Sequence, residues 1–201
     1  SFLPSRILDF HVHVWNEGVF PEGRTFQSGG PEIASYTFKE LDKDLGECFP
    51  GRETSALCFG LPAIDGDHHR NNEYIANGCD NETFFGLRLL DPWRDDVESV
   101  RRDLEGGRLL GVKPYPVYPR KTDEAIVEIP EMLPDWAMEV VNEFGGLVML
   151  HIPRPGRLAD PVNQRSFTNF VTMPIPGSQS SGALVGVYKD NGREELVITG
   201  A

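Results

Sequence analysis

Cysteine is scarce: there are three in 201 residues, Cys48, Cys58 and Cys79, an odd number without the close pairs of a zinc knuckle. That excludes a disulfide framework and reads as reduced thiols in a cytoplasmic protein. Basic residues are in deficit, 19 against 31 acidic, for a net charge of −12. Nucleic acids and anionic membranes are bound by basic patches, so neither is an expected partner. No apolar run approaches the ~20 residues that cross a bilayer, and no signal-peptide pattern opens the chain. The first residue is Ser1 rather than Met, which suggests a trimmed or partial chain. Histidine is sparse too, at five residues, and none follows His151. What is present is ordinary: 39% hydrophobic and 25% charged residues, enough length for a real core in one large or two small domains.

Against that background Ile7-Leu8-Asp9-Phe10-His11-Val12-His13-Val14-Trp15 stands out. Leu8, Phe10, Val12 and Val14 alternate with Asp9, His11 and His13, and a strand's side-chain period of two puts the two sets on opposite faces. An acid and two imidazoles amid apolar residues are costly to bury unless paired or bound to metal. Two histidines two apart on a strand can reach one divalent cation. A half-exposed strand with a wet face is the bland alternative, and the spacing alone leaves both open.

The rest of the chain alternates strand and helix. Glu17 to Pro31, rich in Gly, Pro and polar residues, reads as a long loop. A helix is expected from about Thr37 to Cys48 with Thr37 as N-cap. A buried strand follows over Ser55–Leu61, and then a helix over Asp67–Gly78 capped by Asp67 or Asn71. Thr83–Leu90 reads as a strand stopped by Asp91-Pro92, and Arg94–Glu105 as a helix closed by Gly106-Gly107. Leu109–Lys113 is a strand ended by prolines, Pro130–Phe144 has helical spacing, and Leu147–Ile152 is a fifth strand. Five such alternations predict βαβ units and a parallel sheet, with site residues at strand C-termini. From about Arg165 the alternation fails. Phe170–Ile175 is a short apolar run, 176–182 is rich in Ser and Gly, and Ala183–Tyr188 with Glu194–Thr199 flanks Lys189-Asp190-Asn191-Gly192 as an antiparallel hairpin.

His11, His13, Lys113 and His151 near strand ends, with Leu8-Asp9-Phe10-His11-Val12-His13, Phe84-Phe85-Gly86-Leu87-Arg88 before Asp91-Pro92, Gly111-Val112-Lys113 and Val148-Met149-Leu150-His151-Ile152-Pro153 in order, resemble the amidohydrolase superfamily. The nearer likeness is to its amidohydrolase-related branch of metal-dependent hydrolases and non-oxidative decarboxylases on a (β/α)8 barrel. The match runs from about Arg6 to Asn163. The resemblance implies an α/β fold of TIM-barrel type with about five βα units present. Residues 1–164 would be the N-terminal part of the barrel, and 165–201 a divergent hairpin segment. It implies His11, His13 and His151 as metal ligands and Lys113 as a pocket-lining catalytic group. The cofactor would be a divalent ion, zinc or alternatively manganese. That pattern continues with a strand-six histidine and a strand-eight aspartate, the proton shuttle. This chain has neither; Asp160 falls in a loop and Asp190 in the hairpin turn. A fragment, an altered downstream reading or a real variant each fit, the first two being favoured. An open half-barrel leaves an unpaired strand edge, so self-association is expected unless the hairpin caps it.

Other residues are weighed individually. Arg88 can bind a substrate carboxylate or make a strand-edge ion pair. Arg154 and Arg157, after strand five, are better placed for an anion. Asp9 can accept the ring N–H of a ligand histidine. Trp15 can wall a pocket, though Trp15, Trp93 and Trp136 are most simply packing residues, and His68-His69 read as a solvated loop. The expected activity is metal-dependent hydrolysis of a C–N or C–O bond in a small carboxylate-bearing molecule. Decarboxylation at the same site, or a non-catalytic half-barrel, are the alternatives. A small-molecule substrate and possible homo-oligomerisation complete the expectations.

Overall fold

The computed structural model describes residues 3–27, 30–171, 184–190 and 193–199, with side chains as far as residue 167. The elements of the first half are β1 (Arg6–His13), α1 (Phe38–Cys48), β2 (Glu53–Phe59), α2 (His68–Gly78) and β3 (Phe84–Leu90). Within β3 the chain divides into two compact units, Ser1–Arg88 and Leu89–Ala201.

In the first unit β1 pairs with β2 and β2 with β3, both parallel. The helices begin where local chemistry says they should. Thr37 accepts the Glu40 amide while Glu40 accepts the Thr37 amide, a reciprocal box that satisfies two end donors of α1. Asp67, not Asn71, caps α2 through the Arg70 amide at 3.0 Å. Asn71 lies inside that helix and is buried.

One feature of β1 escapes strict alternation. Its register slips between Asp9, opposite Ala56, and Val12, opposite Cys58. An extra residue on β1 is a bulge, which re-aims side chains on either side of it. Leu8 is 48% exposed. The loop after β1 is less bare than its composition suggests. Trp15, Val19 and Phe20 are buried together, with Phe26, Tyr36, Leu61 and Ala63 packed against them. Isolated bridges join Trp15 to Tyr36 and Phe26 to Ile33.

The second unit holds α3 (Val97–Glu105), β4 (Leu109–Pro114), α4 (Ile129–Met132), α5 (Asp135–Glu143), β5 (Leu147–His151), α6 (Pro161–Val171), β6 (Leu184–Asp190) and β7 (Arg193–Thr199). β4 and β5 pair in parallel. The single helix expected over Pro130–Phe144 is two, because Pro134 disfavours helical backbone at Leu133 and starts α5 afresh. Helix α6 was not expected as such. Its signal was Asp160-Pro161: the Asp160 carboxylate accepts the Val162 amide at 2.8 Å, and proline suits a first helical position. Downstream, β6 and β7 form the expected antiparallel hairpin, and β7 pairs antiparallel with β5, covering its edge. The turn at 191–192 and the run at 172–175 lie outside the described residues.

The architecture is α/β, with five βα units of the kind that build a (β/α) barrel followed by a hairpin. No helix among the described residues is long and apolar enough to cross a membrane.

Two tests follow from this packing. A Cβ on Gly111 would overlap the Leu147 backbone, so β4 and β5 meet only because residue 111 lacks a side chain. Gly111→Ala should cost about 1–3 kcal/mol, against about 1 kcal/mol for Thr37→Ala, read from denaturant midpoints. An unshifted Gly111→Ala midpoint would contradict the close approach. Burial pushes the Cys79 thiol up to about 12 and the Cys58 thiol higher still, whereas Cys48 is exposed. Since the thiolate is the reactive form, iodoacetamide at pH 8 should label Cys48 alone until the chain is unfolded.

Candidate metal centre

His11 and His13 are half-buried at the C-terminal end of β1, and their Nε2 atoms lie 3.4 Å apart. Both rings meet Phe59 edge-on, at centroid distances of 4.9 and 4.8 Å. Phe59 is fully buried at the end of β2 and so restrains both imidazoles from one side. The Nδ1 of His13 sits 2.9 Å from the carbonyl oxygen of Gly60. A carbonyl only accepts, so Nδ1 carries the proton and the lone pair of Nε2 is turned towards His11. A backbone carbonyl on the far nitrogen is the usual device for orienting a metal-binding histidine.

The spacing can be tested against an ion. Two nitrogens at ~2.0–2.1 Å from a tetrahedral centre are about 3.3 Å apart, whereas adjacent octahedral positions at that bond length are about 2.9 Å apart. The observed 3.4 Å fits the tetrahedral case. The bland alternative is a direct ring-to-ring hydrogen bond, with the Nε2–H of His11 donating to His13. Both arrangements need the same proton on His13.

Asp9 does something other than expected. Its Oδ1 accepts the backbone N–H of His11 at 3.1 Å. The bulge takes that amide out of the regular ladder, and the carboxylate satisfies it. The carbonyl of Gly60, which sequence reasoning missed, is the partner of a histidine ring; a glycine directly after a strand was the only hint.

In the second unit, Lys113 is fully buried near the end of β4. Its Nζ stands 4.7 Å over the ring of Tyr115, which in turn lies 5.3 Å from the ring of the buried His151. A cation on an aromatic face is stabilised most when shielded from water. Loop 152–160 is held by its own residues. Arg154 pairs with Asp160 at 3.1 Å and donates to the Ile126 carbonyl at 3.3 Å, and Arg157 donates to the Ile152 carbonyl at 2.7 Å. Both arginines have left-handed backbone, φ 65° and 48°, which costs of order 1 kcal/mol each. The buried Asn163 donates to the carbonyls of Pro153 and Arg157 at 2.7 and 2.9 Å, tying the loop to α6.

Several expectations are corrected. Arg88 is fully buried, not at a strand edge in solvent. His68, at the start of α2, is 3% exposed rather than solvated, with its ring centroid 4.0 Å from that of His69. Trp93 is 67% exposed, with the Arg120 guanidinium over its ring, and so is not a packing residue. Trp15, by contrast, packs as its simplest reading has it: it is buried and donates from Nε1 to the Ala34 carbonyl at 2.9 Å, fastening the loop after β1.

No protein-family model matches the chain, and no curated protein matches it. Among solved structures it is similar to a probable 2-pyrone-4,6-dicarboxylic acid hydrolase from Acinetobacter baumannii, solved with citric acid bound. The identity is 17% and the TM-score 0.44, over 72% of this chain and 48% of that one. The chain thus spans about half the length of that structure.

The loop after β5 gives a pH test. Burial pushes the Asp160 carboxyl up, but the Val162 amide and the Arg154 guanidinium outweigh it and hold the group below its usual range. A depressed carboxyl stabilises the fold above its unfolded pKa of about 4 and loses that contribution as pH falls through the folded value. Asp160→Asn should therefore be less stable than the parent at pH 7, with the gap narrowing as pH falls below the ordinary carboxyl pKa of about 4. A gap independent of pH in denaturant titrations would rule out the charge as its cause.

Proposed function

We propose that this chain carries the first strands and half of the metal site of a metal-dependent hydrolase of amidohydrolase type. It would cleave a C–N or C–O bond of a small carboxylate-bearing substrate. The observation that carries the reading is the convergence of the His11 and His13 Nε2 atoms at 3.4 Å, with the His13 tautomer held by Gly60. His11 and His13 would hold a divalent ion there, which would supply Lewis-acid chemistry and water activation for the hydrolysis. Zinc suits two neutral imidazoles at tetrahedral spacing better than manganese, which takes oxygen-rich octahedral sites.

The chain's own residues supply orientation. Gly60 holds a proton on Nδ1 of His13, Phe59 blocks rotation of both rings, and Asp9 anchors the backbone of His11. His151 is kept as the further ligand that the resemblance implies, and Lys113 as a group lining the site. Arg88, Arg154 and Trp15 remain the proposed substrate-side residues.

A metal-binding module without turnover is the second reading, supported by a sequence with no histidine beyond His151 to complete the pattern. Elemental analysis after zinc loading separates the readings in sequence. About one zinc per chain, lost in His11→Ala/His13→Ala, supports a site; no difference between the two proteins overturns it. Turnover of carboxylated lactones or amides by the zinc-loaded chain then favours the hydrolase, and stoichiometric zinc without turnover favours the module.

A further inference from the structure

The buried asparagine at 71 has no evident reason to be polar. It lies in the fourth position of α2 and is 1% exposed. Its Nδ2 reaches one acceptor, the Leu61 carbonyl, at a long 3.4 Å, and its Oδ1 has no hydrogen-bond partner among the described residues. Burying an amide half-satisfied costs stability that an apolar side chain would not. Position 71 also has no capping work to do, since Asp67 serves that end.

What Asn71 touches is the segment after β2. A Cβ on Gly60 would fall on the Asn71 carboxamide, so the amide occupies the space that glycine leaves open. On one side it packs against the α-carbon of Gly60, and on the other it donates to Leu61. Between those two points lies the Gly60–Leu61 peptide, whose carbonyl accepts the Nδ1–H of His13. The amide therefore brackets the peptide group whose carbonyl fixes the proton on Nδ1 of His13.

We infer that Asn71 is a positioning residue for the histidine pair. Through the Gly60–Leu61 peptide it holds His13 in the Nδ1–H tautomer and so presets Nε2 as a ligand. The claim about the tautomer stands on geometry alone; its consequence for zinc rests on the proposed metal site. Gly60 and Asn71 form a matched pair of sizes, so that neither can be enlarged or removed alone without moving the carbonyl.

The test uses the full chain labelled with 15N-histidine, metal-free and at a pH where the rings are neutral. Long-range 1H–15N spectra report which nitrogen of each ring is protonated. The parent should show His13 as the Nδ1–H form. Asn71→Ala and Gly60→Ala should each shift it towards Nε2–H, and Gly60→Ala/Asn71→Ala, in which the methyl takes the vacated space, should recover much of the parent signature. Zinc affinity by competition with a chromophoric chelator should fall about 10–100-fold in the single variants and recover in the double. Thr37→Ala, destabilised at a remote cap, should leave both readouts unmoved. A folded Asn71→Ala with an unchanged His13 tautomer overturns the inference, as does a double variant no better than the singles. If the single variants fail to fold, the folded double variant still decides: a parent-like tautomer supports the matched pair and a lost one refutes it. A shifted tautomer in a chain whose parent binds no zinc upholds the positioning role and defeats the metal reading instead.

Discussion

One hydrogen bond, from the Nδ1–H of His13 to the Gly60 carbonyl, organises the chemistry of the first unit. Imidazole has two nitrogens of nearly equal basicity, and only a fixed partner on one makes the other a dependable ligand. The partner here is backbone just past the end of the neighbouring strand β2. Forming the parallel β1–β2 pair and preparing the histidine are thus one event. The tautomer of His13 is a property of the sheet rather than of a flexible side chain.

The bulge in β1 contributes in the same economy. A regular strand would place His11 and His13 on one face with side chains roughly 7 Å apart along the chain. Their Nε2 atoms converge to 3.4 Å, and the register slip between Asp9 and Val12 takes in His11. The backbone amide released by the slip is taken up by Asp9. An acid that looked like support for an imidazole is support for the backbone that carries it. In the second unit the same logic recurs in the loop after β5. There two arginines in left-handed conformation spend their guanidinium groups on nearby backbone carbonyls and on Asp160.

Much of the fold was legible because it follows from local rules. The capping residues Thr37 and Asp67, the stop at Gly106-Gly107 and the apolar runs of β2, β3 and β5 act within a few residues of themselves. The α4–α5 break and the start of α6 are written as plainly, in Leu133-Pro134 and Asp160-Pro161. The exposure of Trp93 and Leu8 and the burial of His68 and Arg88 were not legible, since each depends on what packs nearby and not on the residue's own pattern.

The sequence by itself determined that this is an α/β chain of repeated strand–helix units, acidic, with its two N-terminal histidines on one strand. Periodicity, capping and charge are all short-range properties, and so can be read residue by residue. Only the tertiary structure decided that those histidines converge, that Gly60 and not Asp9 orients one of them, and that Asn71 stands behind Gly60. Those three facts join residues 11, 13, 60 and 71. Contacts at such separations exist only once β1, β2 and α2 have packed, because an unfolded chain has no means of bringing them within hydrogen-bond reach.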